Sequence, residues 1–81
     1  MSNIETLVRM ANQIATFFRT QPEEAAIAGT ADHIKAYWNK VMRRDIYAHL
    51  DAGGAGLDPL ALKALEQLRA SEKAVQGMAK N

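Results

Sequence analysis

With 81 residues the chain has room for one domain, and a domain this small is marginal without a staple or a partner. It has no cysteine, which excludes a disulfide scaffold, a thiolate zinc site and a thiol nucleophile, and fits a reducing compartment. A net charge of +1 argues against a general nucleic-acid binder, and no apolar run approaches the ~20 residues of a membrane span.

The first helix is predicted to run to about residue 20. Ser2 with Glu5 three residues later reads as its capping box. Ile4, Leu7, Val8, Met10, Ala11, Ile14, Ala15, Phe17 and Phe18 fall on one side at about 100° per residue. That arc spans roughly 180°, wider than the ~100° stripe that reaches one core. The surplus implies a second packing partner. Phe18 lies near the middle of the arc and is expected in the core. Phe17 sits at the edge with Met10, where a partner can cover both. Arg9, Asn12 and Gln13 lie on the polar half, which by pattern alone is a solvated face.

Gln21-Pro22 stops the first helix, and Pro22 suits the first turn of the next. The second helix is predicted over 22–38, with a stripe of Ile27, Ala31, Ile34 and Trp38. Gly29 weakens its middle by ~1 kcal/mol relative to alanine and could divide it. Asn39 caps a third helix, 40–52, which carries Met42, Ile46, His49 and Leu50 on one side. The run Gly53-Gly54-Ala55-Gly56 ends it, with one glycine in the left-handed cap conformation. Leu57 folds back onto the core. Asp58-Pro59 restarts a helix whose stripe is Ala61, Ala64, Leu65 and Leu68, extended by Val75. Apolar content falls after Ser71. The expected layout is a helical domain over 1–70 and a tail, 71–81, that is frayed or ordered only in a complex. The fold class is all-α: a small bundle of three to four helices with a glycine-rich turn before the last helix. Alanine supplies much of the 48% hydrophobic content, so helix propensity is high and core volume is thin.

Chemistry has little to work with. The glycine run lacks the Lys-Ser or Lys-Thr and the preceding strand of a phosphate loop, so it reads as a helix-ending turn. His33 and His49 have acids beside them in sequence, but helical neighbours point about 100° apart and make no ready chelate. Both read as packed or interface histidines. Ser2 and Ser71 lie at the two ends, where no histidine is easily held against them. Trp38 has two readings, a core anchor or an aromatic that fills a partner's pocket. No catalytic, cofactor-binding or metal-binding residue is assigned. The N-terminus lacks a basic segment followed by an apolar one, so no signal peptide is expected and a cytoplasmic location is the default.

Several stretches succeed one another in a specific order. They are 7–15 (Leu-Val-Arg-Met-Ala-Asn-Gln-Ile-Ala), Ala31-Asp32-His33-Ile34 with Tyr37-Trp38, Met42-Arg43, and His49-Leu50 followed by Gly53-Gly54-Ala55-Gly56-Leu57-Asp58-Pro59-Leu60. In this succession, over residues 4–65, the chain resembles the delta subunit of soluble NAD-dependent, molybdenum-containing formate dehydrogenases. The resemblance implies a non-catalytic accessory subunit that supports cofactor insertion, assembly or stability. Formate oxidation would belong to the large alpha subunit, at a molybdenum or tungsten bis-molybdopterin guanine dinucleotide centre. Iron–sulfur clusters and a flavin (FMN) in other subunits would carry electrons to NAD. This chain would bind no cofactor itself. Its implied partners are the alpha subunit with its beta and gamma companions, not nucleic acid or membrane. Arg9, Met10, Asn12, Gln13, His33, Trp38, Arg43, Gly53 and Gly54, within the matching motifs, and Phe17, two residues past the first of them, are the candidate partner-binding residues. Arg9 and Arg43 suit bidentate contacts to acidic groups.

Two other readings stay open on the residues alone. One is a helical homo-oligomer that covers the Met10/Phe17 edge with a second copy. The other is a small DNA-binding domain that reads with Lys40, Arg43 and Arg44 on the third helix.

Overall fold

A computed structural model describes residues 3–79, which form four helices and, among the described residues, no strand. These are α1 (Ile4–Phe18), α2 (Glu23–Tyr37), α3 (Lys40–Asp51) and α4 (Pro59–Ala79). The all-α bundle expected from the periodicity is the observed architecture.

Local chemistry sets the ends. Asn3, not Ser2, caps α1: its side-chain oxygen accepts from the Thr6 N–H at 3.2 Å. Ser2 lies outside the described residues. Asn39 caps α3 as expected, accepting from the Met42 N–H at 2.9 Å. At the C-terminus of α3 the Gly54 N–H donates to the His49 carbonyl at 2.8 Å and the Gly53 N–H to the Leu50 carbonyl at 3.0 Å. This pair of bonds is a Schellman cap, which satisfies carbonyls the helix leaves open. Three glycines rather than one, Gly53, Gly54 and Gly56, take positive φ. Asp58 starts α4, accepting from the Leu60 N–H at 3.1 Å ahead of Pro59 in the first turn.

The second helix is not divided at Gly29. A Cβ built there would stand 2.6 Å from two ring carbons of Phe18. The glycine therefore lets α2 approach α1 across the Phe18 ring, and that contact offsets its poor helix propensity. Nearby Thr30 is fully buried and donates its hydroxyl to the Ala26 carbonyl at 2.8 Å.

The core joins all four helices through Leu7, Ala11, Ala15, Ala31, Ile34, Trp38, Ile46, Ala61, Ala64, Leu65 and Leu68. Its alanines allow close helix approach but add little apolar volume. α2 packs on both α1 and α4. The predicted α4 stripe is buried except for Val75, which is exposed instead of extending the core. Phe18 is half-buried and lies at the edge of the core against Gly29. α4 does not stop where the apolar content falls. It continues through Ser71, and Glu72 meets α3.

Candidate docking surface

The surplus apolar arc of α1 lines an open groove of about 510 Å³. Met10, Gln13, Ile14 and Phe17 form one wall and Phe18 belongs to the same helix. The end of α2 contributes His33 and Tyr37, Trp38 follows, and Met42 enters from α3. Helical spacing explains the first wall, since residues three and four apart stack on one face. Two aromatics stand out of it: Phe17 and Tyr37 are each 75% exposed. Phe17 meets Phe18 edge-to-face with ring centres 5.0 Å apart, and Tyr37 lies on His33 at 4.5 Å. Both exposed rings are thus held by a neighbour and lose little freedom on being covered.

Of the ten candidate partner-binding residues, Met10, Gln13, Phe17, His33 and Trp38 come together in this groove. Trp38 combines its two sequence readings, being buried in the core while it lines the groove. Arg9 does not join them. It lines a shallow depression on the outer face of α1 with Asn12 and Gln13.

Asn12, Arg43 and Gly54 are engaged inside the molecule. Asn12 donates to the Gly56 carbonyl and accepts from the Asp58 N–H, each at 2.9 Å. Arg43 donates to the Trp38 carbonyl at 2.7 Å and to Glu72 at 3.1 Å. Gly54 is buried against Leu50, Leu57 and Leu62, while Gly53 remains exposed. His49 joins the same loop, its Nε2 standing 2.7 Å from the Ala55 carbonyl. The motif residues of α1, α3 and the glycine turn thus clamp one another.

Tyr37 and Met42 also line the groove, although neither is among the ten candidate partner-binding residues. The signal for Tyr37 was present, since it lies one helical turn after His33. Arg69 and Glu72 had no such signal, because their partners lie on α3. Arg69 reaches Asp51 at 2.6 Å, and Glu72 accepts from both Arg43 and the Tyr47 hydroxyl. Burial and the Glu72 carboxylate push the Tyr47 phenol well above the ordinary tyrosine range. On the opposite flank Lys63 bonds Glu23 at 2.8 Å, which holds the Glu23 carboxyl below its usual value and raises the Lys63 amine. Arg19 stands 3.1 Å from Asp58 Oδ2. That buried oxygen has a charge beside it but no hydrogen bond of proper geometry.

Among the described residues no three His, Asp or Glu side chains are placed to hold a metal ion, and no helix is long and apolar enough to cross a membrane. The two histidines are turned to other contacts, His33 to a ring and His49 to a backbone carbonyl.

A family model described as "NADH-dependant formate dehydrogenase delta subunit FdsD" matches residues 6–65, from α1 through the glycine turn into α4. No curated protein and no solved structure matches the chain. The chain belongs to the formate dehydrogenase delta-subunit family.

Proposed function

We propose that this chain is a non-catalytic accessory subunit that docks, by its apolar groove, on the large catalytic subunit of an NAD-dependent formate dehydrogenase. Docking there supports cofactor insertion, assembly or stability of the enzyme. The observation that carries this reading is the uncovered groove flanked by Phe17 and Tyr37. Covering one such ring contributes about 1.5–3 kcal/mol, a large share of what a specific contact requires. In this reading the cover comes from the kind of complex that family membership implies.

The redox centres of such a complex, a molybdenum or tungsten pterin site, iron–sulfur clusters and a flavin, belong in this reading to other subunits. This chain has no thiolate to hold a cluster. Its contribution is a bias between states. A subunit that prefers the cofactor-loaded catalytic subunit shifts the population toward that form by its differential affinity. At 100-fold above its dissociation constant it adds about 2.7 kcal/mol. A cytoplasmic location accompanies this role.

The test is to prepare the enzyme complex with and without this chain. Lower metal content, lower activity or a shorter thermal lifetime in its absence is the expected result. Equal values for all three would remove the role.

A further inference from the structure

The chain carries a second groove, between α3 and α4, whose charge is unlike that of the whole. Five of its lining residues are cations and two are acids, whereas the complete chain has a net charge of only +1. Arg43 is paired with Glu72 and Arg69 with Asp51. The remaining cations, Lys40, Arg44 and Lys73, make no ion pair among the described residues. They line the groove together with Val41, an apolar side chain left exposed at the start of α3. The first turn of α3 joins this groove to the apolar one, since Val41 lines the charged groove and Met42 the apolar one. Arg43 fixes that junction, bonding the Trp38 carbonyl on one side and Glu72 on the other.

We infer that the two grooves form one continuous docking surface for a partner segment with apolar anchors at one end and carboxylates at the other. This rests on the docking reading above and names the chemistry of what is docked. The apolar end covers Phe17, Tyr37 and Met42. The acidic end lies along Lys40, Arg44 and Lys73, and an aliphatic group between the two covers Val41. Charge complementarity selects a carboxylate-bearing polypeptide. The pairing of Arg43 and Arg69 within the groove reduces its value for the phosphates of a nucleic-acid backbone, which depend on several cations at once. Lys73 lies beyond the family match, which ends at residue 65.

The experiment measures binding of the purified full-length chain to the formate dehydrogenase catalytic subunit at low and high salt. It compares the native chain with K40E/R44E/K73E and with F17S/Y37S. Helical circular dichroism and the melting temperature first establish that each variant is folded. The native complex should weaken about tenfold or more as salt rises and the charges are screened. The charge-reversed variant should bind about tenfold or more weaker at low salt and lose the salt dependence. The F17S/Y37S variant should bind weakly but keep it. If the native chain binds and the charge-reversed variant binds equally well with the same salt response, the acidic-segment inference is overturned and docking by the apolar groove stands. If the native chain does not bind at all, both fail. Retention of duplex DNA by the native chain but not by the charge-reversed variant would overturn the carboxylate assignment in favour of phosphate.

Discussion

Asn12 Oδ1 accepts a hydrogen bond from the Asp58 N–H at 2.9 Å, across 46 residues of sequence. Its amide nitrogen donates to the Gly56 carbonyl at the same distance. One side chain on α1 therefore holds the loop from which α4 begins. The Asp58 that it positions also caps α4 and stands beside Arg19. Replacement by alanine leaves two backbone groups without their partner and should cost about 1–3 kcal/mol. Chemical denaturation of N12A measures this. N12D should not restore the loss, because it sets a carboxylate oxygen against the Gly56 carbonyl. A melting curve for N12A identical to the native one would show that the clamp carries no stability.

Gly29 and Phe18 form the second test of packing. Alanine in a helix interior usually gains about 1 kcal/mol over glycine. Here its Cβ would stand 2.6 Å from the Phe18 ring, so the ring must move toward the groove that it lines. Overpacking of this kind costs about 1–3 kcal/mol. G29A should therefore be less stable than the native chain, and G29A/F18L should recover part of the loss. A simple gain in stability for G29A would mean that the close approach is not maintained.

Tyr47 provides a pH signature. The sequence has two tyrosines, so in Y37F the phenolate absorbance reports Tyr47 alone. Burial and Glu72 raise its folded-state value above the ordinary 10.0. A raised value means that the folded state holds the proton more tightly. The corresponding stability is complete below pH 10 and is lost as pH climbs through the raised value. Phenolate should appear well above pH 10, together with loss of the fold, and E72Q should bring its onset down. Ionisation at the ordinary value with helicity unchanged would contradict the Tyr47–Glu72 contact.

How much of this was legible in the chain depends on how far each signal travels. The caps at Asn39 and Asp58 and the glycine turn are local, and the helix boundaries follow from them to within a few residues. The wide apolar arc of α1 was also readable, because periodicity is a property of one element. Gly29 read as a weakness, since nothing in sequence shows the Phe18 ring opposite it. The same limit applies to Asn12 and Arg43, polar residues in matching motifs whose partners lie on other elements. Falling apolar content sets the expected end of the domain at 70. Contacts of Arg43 and Tyr47 with Glu72 bring α4 against α3 beyond that point, through polar rather than apolar groups.

Phe17 separates function from stability most cleanly. It is 75% exposed and its ring touches Phe18 edge-to-face, so F17S should lower the stability of the isolated chain by no more than about 1.5 kcal/mol. A loss well beyond that would assign Phe17 to the fold instead of to a partner.

The most direct measurement is calorimetric titration of the full-length chain into the formate dehydrogenase catalytic subunit, with the native chain and with F17S/Y37S. The native chain should bind with a negative heat-capacity change, the mark of apolar burial, and the variant should bind about tenfold or more weaker while remaining folded. Equal affinity for the two, or no binding by the native chain, would contradict docking through this groove.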